Sequence, residues 1–156
     1  MCGIFGIVGS HDERTAKKSL DLLIPRGADG LGFKSSNGYF FGQTRLAVMD
    51  LGFPSGPFES DEHILAFNGE IYNYKILAEN LNIKPPFCEG SVILEGLKKE
   101  GLVFLKKLRG MFALSYFDGK KLFLARDDIG KKPLFYTLQN NTLIFAIPYH
   151  AFIMDK

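Results

Sequence analysis

A layered α+β domain is the fold class this sequence predicts, and three observations predict it. Strand-like apolar runs recur along the chain, several joined in pairs by the turn signals SSNG at 35–38, DG at 118–119 and QNN at 139–141. Helical patterns are fewer and fall among the strands in mixed order, which favours sheets with helices laid against them. Finally, 156 residues with 46% hydrophobic content suit one domain over 1–156, able to bury about two thirds of its extended-chain surface.

The elements follow in order. CGIFGIVG reads as a short buried strand whose glycines permit close backbone approach. Ser10, His11 or Asp12 begins a helix reaching about Leu23, Pro25 stops it, and IPRGADGLG is loop chemistry. Strands are expected at about 31–34 and 38–49, and GFPSGPFESDEH is a loop by its Pro, Gly, Ser and Asp content. HILAF is a strand with two competing continuations. Either Asn68-Gly69 turns the chain into a hairpin, or the strand runs on through EIY and Asn73 caps a helix over roughly Tyr74 to Leu81. SVILEGLKKEG and LVFLKKLRG suggest two short adjoining helices. MFALSYFDGKKLFLARD and KPLFYTLQNNTLIFAI then supply two strand pairs.

Charge excludes some classes of function. The net charge is +2, but residues 98–132 carry ten Lys or Arg against four acidic side chains. These are interspersed with core patterns such as FLKKL and KLFLA, so the stretch reads as a solvated or docking face and not as a nucleic-acid site. Two cysteines form no disulfide framework, and three scattered histidines without HExxH or CxxC give no metal signature. No secretory leader is recognisable, and no run approaches the roughly 18 apolar residues of a membrane span. A cytoplasmic, reducing setting is expected, in which a thiol stays free.

Cys2 by itself reads two ways, as a small buried hydrophobe or as a nucleophile placed at the end of the chain for a chemical reason. The ordered motifs decide between them. MCGIFGI, RGADG at 26–30, TRLAVMD at 44–50, NGEIYN at 68–73, LRGMFAL at 108–114 and LFLARDDIGKKPLFY at 122–136 together resemble the class II glutamine amidotransferase family. They are most similar to the N-terminal glutaminase domain of asparagine synthetases.

The resemblance implies an N-terminal-nucleophile hydrolase of four layers, αββα, with two antiparallel sheets between helices. It implies hydrolysis of L-glutamine to glutamate and ammonia, with no cofactor for that step. ATP and magnesium are expected only at a synthetase domain or subunit receiving the ammonia, and the chain is expected to lack that domain. Cys2 is then the nucleophile. Once Met1 is removed its α-amine, titrating near about pH 8, serves as the base. Asn68 and Gly69 match the family's oxyanion donors, and Arg45 its clamp for the α-carboxylate. Leu46, Ala47, Val48 and Met49 are expected to line the pocket, and Glu70 to contact the charged end of the substrate or order the loop. Arg26, Gly27, Asp29 and Gly30, with Asp127, Asp128 and Gly130, are expected to be scaffold.

Three departures accompany this pattern. Pro25 and Gln43 stand where the family usually carries His. In CEGSVILEG, Glu89 falls where the family has the Asp that accepts the substrate's α-amino group, and this makes Glu89 either that partner or a solvated residue at a helix start. The departures keep two alternatives open, a glutaminase serving another acceptor and a glutamine-binding regulatory module without turnover.

Overall fold

The computed structural model describes residues 2–47, 52–148 and 151. Two antiparallel sheets stack face to face. The first contains β1 (Gly3–Val8), β2 (Gly30–Ser36), β3 (Tyr39–Arg45), β8 (Phe135–Gln139) and β9 (Thr142–Ile147), in the order β2-β3-β1-β9-β8. The second contains β4 (Phe58–Ser60), β5 (His63–Ile71), β6 (Gly110–Phe117) and β7 (Leu122–Arg126), in chain order. Helix α1 (Glu13–Asp21) covers the outer face of the first sheet, and α2 (Tyr74–Asn80) and α3 (Glu89–Glu100) cover that of the second. The result is the expected four-layer αββα arrangement.

The period of two along each strand builds these layers. Phe5 and Ile7 of β1, Phe40 of β3 and Ile144 of β9 face α1, where Ala16 and Leu20 meet them. Ile4, Phe41, Phe145 and Ile147 point the other way, toward Ile64, Ala66 and Ala113 of the second sheet. Gly6 belongs to this inner layer because a Cβ there would lie 2.1 Å from the Phe145 ring. Replacing it by any larger residue displaces that ring. Leu65, Phe67 and Ile71 of β5 turn outward onto α2 and α3, where Leu77, Val92, Ile93 and Leu97 are buried against them.

Local chemistry explains most boundaries. Asp12, of the three candidates, caps α1, accepting from Thr15 N at 2.8 Å. The IPR segment is a single 3-10 turn, Ile24–Arg26, and not irregular loop, with Pro25 in its first turn, where no N–H is needed. The predicted second helix after α3 is likewise a 3-10 stretch, Gly101–Lys107, which Gly101 enters at φ +66°. The expected loop around 52–63 contains the short edge strand β4.

The competition at Asn68-Gly69 resolves in favour of a continuous strand. β6 pairs with β5 from Ile64↔Phe117 to Ile71↔Gly110, so a long partner overrides local turn chemistry. Asn73 precedes α2 without capping it by its side chain. Its Nδ2 donates to Lys107 O and its Oδ1 accepts from Arg109 N, both at 2.9 Å, fastening the approach to β6.

Candidate active site

Strand alternation gathers the reactive side chains at one end of the layer between the sheets. Cys2 continues the inward series Ile4 and Gly6 of β1, and Gln43 and Arg45 continue Phe41 of β3. Asn68 and Glu70 continue Ile64 and Ala66 of β5. All five line one pocket, closed further by Cys88 and Glu89 at the start of α3 and by Lys132 after β7. The Cys2 thiol is half-buried, 3.9 Å from Leu46 O, and both cysteines are free thiols. Gly3 N donates to Thr44 Oγ1 at 3.0 Å, which in turn donates to Leu23 O at 3.2 Å, fixing the backbone beside the thiol.

Two donors on β5 face this thiol's pocket. Asn68 is 2% exposed, and its Nδ2 has no hydrogen-bond partner among the described residues. A buried amide left unpaired costs about 1–3 kcal/mol, so such a group ordinarily has a reason to persist. Gly69 supplies the second donor through backbone geometry. Along an antiparallel strand successive N–H groups point to opposite edges. Tyr72 N reaches Arg109 O on the β6 side, while Phe67 N reaches Gln43 Oε1 and Ile71 N reaches Glu89 Oε1 on the other. Gly69 N–H therefore points to the edge shared with Phe67 and Ile71, which β4 leaves uncovered beyond Leu65. A Cβ at Gly69 would lie 2.2 Å from Met111 O and 2.7 Å from Phe112 Cα, so glycine is what allows the close pairing here.

The pocket carries both signs of charge. Arg45 Nη1 donates to the carbonyls of Phe53 and Pro54, the latter at 3.2 Å, anchoring the guanidinium at the wall. Glu89, half-buried in the first turn of α3, accepts from Ile71 N at 2.6 Å. Lys132 is only 6% exposed and lines the same cavity, although its charge reads in the sequence as part of a surface basic stretch. Asp127 orders that segment, accepting from Lys131 N at 2.8 Å, Lys132 N at 3.1 Å and Phe112 N at 3.2 Å. Burial pushes its carboxyl up, but these N–H groups overcome it and hold the group below the usual carboxylate range.

Of the expected pocket residues, Leu46 lines the cavity with Cys2 and Arg45. Ala47 does not; its N–H is taken by Asp29 Oδ2 at 2.8 Å. Asp29 N also donates to Arg45 O at 2.9 Å, so RGADG supports the end of β3 as expected. Met1, Val48 and Met49 lie outside the described residues. Gln43 and Lys132 are pocket residues that the sequence reading did not assign. The substitution at position 43 was a signal for the first, whereas nothing in ARDDIGKKP marks the second as buried. Among the described residues no cluster of three or more His, Cys, Asp or Glu is placed to hold a metal, and no helix is long and apolar enough to cross a membrane.

The model of a glutamine amidotransferase domain matches residues 1–156. The chain belongs to that family. It is 33% identical to glutamine-hydrolysing asparagine synthetase 2 of Bacillus subtilis over 94% of its own length and 21% of that protein's. It is 36% identical to the asparagine synthetase of Rattus norvegicus over 88% of itself and 27% of the relative. The chain thus spans about a quarter of the length of these curated relatives. Among solved structures, a glutamine phosphoribosylpyrophosphate amidotransferase from Bacillus subtilis superimposes with TM-score 0.77 at 22% identity, covering 93% of this chain and 41% of that one. The allosteric regulatory enzyme of purine biosynthesis does so with TM-score 0.81 at 23% identity, over 97% and 43%. The chain shares the two-sheet α+β fold of these two structures, and it is a glutamine amidotransferase domain similar over most of its own length to the asparagine synthetases named above.

Proposed function

We propose that this domain hydrolyses L-glutamine to L-glutamate and ammonia through a thioester on Cys2. The unpaired, buried amide of Asn68 facing the pocket of the Cys2 thiol is the observation that carries this reading. With Met1 removed, the α-amine of Cys2 takes the thiol proton and the thiolate attacks the carboxamide carbon of glutamine. Negative charge develops on the former carbonyl oxygen, and Asn68 Nδ2 with Gly69 N–H stabilises it. Collapse of the tetrahedral species breaks the C–N bond, and the ammonium at Cys2 returns its proton to the departing ammonia. Water then cleaves the thioester, releasing glutamate and restoring the thiol.

The ends of the amino acid fit the charges of the wall. Arg45 receives the α-carboxylate, for which a planar pair of donors is suited. Glu89, with Glu70 beside it, receives the α-ammonium; the extra methylene of Glu relative to Asp is accommodated by the Ile71 N–H that holds its carboxylate. Leu46 contributes a carbonyl and apolar surface. The hydrolysis calls on no cofactor.

The ammonia passes to a synthetase domain or subunit, where ATP and magnesium would be used to amidate aspartate. Relatives that are asparagine synthetases about four times as long support this assignment. Residues 1–156 then act as one glutaminase domain in a reducing, cytoplasmic setting that keeps both thiols free.

The test is release of ammonia and glutamate from L-glutamine by the Met1-free chain, with and without Cys2→Ala. Turnover that vanishes in the variant supports the reading. Calorimetric glutamine binding without ammonia release would replace it with a regulatory binding module.

A further inference from the structure

Resting on the glutaminase reading, we infer that Gln43 is a positioning residue for the oxyanion hole, holding β5 in place one residue before Asn68. The observation is a gap in the second sheet. β4 pairs with β5 only at Phe58↔Leu65, Glu59↔Ile64 and Ser60↔His63, and continuing that register would set Gly56 opposite Phe67. The chain departs from strand geometry there, with Gly56 at φ +76°, so among the described residues the buried Phe67 has no backbone partner on that edge. The carboxamide of Gln43 occupies the gap. Its Oε1 accepts from Phe67 N at 3.0 Å, and a Cβ on Gly56 would lie 2.7 Å from the same oxygen. Gln43 is itself 3% exposed and crosses from β3 of one sheet to β5 of the other.

Consequences for the reaction follow from strand geometry. Phe67, Gly69 and Ile71 present their N–H groups to one edge, and the two flanking groups are held by Gln43 and Glu89. The two side chains therefore bracket Gly69, fixing its N–H direction and the base of the Asn68 side chain. Oxyanion donors contribute most when they are prearranged, so loosening the Gln43 end lowers turnover more than it lowers binding. A histidine can accept the same bond only while its ring is neutral.

The test uses the Met1-free chain, Gln43→Met and Gln43→His. Methionine has similar length and no strong acceptor. Its kcat for ammonia release is expected to fall about 10-fold to 100-fold with KM changed less than about threefold. Alkylation of Cys2 by iodoacetamide, followed on the Cys2 peptide by mass, should stay within about twofold, since it needs the thiol and not the oxyanion donors. Both proteins lose turnover as the Cys2 α-amine is protonated below about pH 8, and for Gln43→His kcat should fall by a further step through about pH 6.5, so that the ratio of variant to parent drops there. Arg45 on the same strand, Cys2 from β1, Glu70 from β5, Cys88 and Glu89 from the start of α3 and Lys132 after β7 face this pocket in both proteins, so the difference between profiles reports the new ring.

If parent turnover is normal and Gln43→Met is unimpaired, or loses kcat and alkylation together, this inference is overturned while the glutaminase reading stands. A parent that releases no ammonia overturns both. Should Gln43→Met fail to fold, the Gln43→His profile decides, and parallel profiles overturn the inference.

Discussion

Asn68→Leu should make the domain more stable and nearly inactive. Asn68 is 2% exposed and its Nδ2 is unpaired, so the folded protein carries the desolvation cost of that amide, about 1–3 kcal/mol. Leucine has a similar branched shape and no polar atom to desolvate. Allowing about 1 kcal/mol for imperfect packing, a net gain near 1 kcal/mol remains, which for a chain of this size is roughly 2–4 °C in melting temperature. Loss of one oxyanion donor should lower kcat about 100-fold to 1000-fold. Scanning calorimetry and ammonia release on the same preparation measure both. A melting temperature that falls by several degrees would refute the reasoning, because Asn68 would then be a structural residue. Unchanged kcat would refute it equally.

Arg45→Lys keeps the charge but loses the planar fork, and should raise KM for glutamine about 10-fold to 100-fold with a smaller change in kcat, read from initial rates. Gly69→Ala forces its Cβ onto Met111 O and Phe112 Cα, backbone atoms that cannot swing away. It should lower kcat by about 100-fold and reduce the denaturation midpoint. Asp127 is held ionised by three backbone N–H groups, so its folded pKa lies below its unfolded value near about 3.9. Its stabilisation is present above that unfolded value and is lost as pH falls through the folded one. Asp127→Asn should therefore be about 2 kcal/mol less stable at pH 7 by urea unfolding, with the gap closing below about pH 4.

The two-faced strands and the positions of Cys2, Arg45, Asn68 and Glu89 were legible in the sequence because period two and motif order are carried locally. Asn68-Gly69 was ambiguous for a physical reason. The dipeptide favours a turn in isolation, and only the full-length pairing with β6 keeps it extended. Gln43 was marked by its departure from the family's His, but its bond to Phe67 depends on where β4 stops, and the burial of Lys132 depends on which loop folds inward and has no local signature. Ala47 illustrates the converse. It lies near Arg45 in sequence, yet the Asp29 carboxylate takes its N–H and it is not among the residues lining the pocket. β4 was hidden in loop-like composition, since three residues paired at an edge need little propensity of their own.

The requirement for a free amine on Cys2 is the central chemical claim, and intact mass combined with ammonia release on one sample tests it most directly. Preparations with Met1 removed and with Met1 retained should be compared under identical glutamine concentrations. Turnover should be proportional to the fraction of chains beginning at Cys2, with none from chains that keep Met1. Equal turnover by both forms would contradict it.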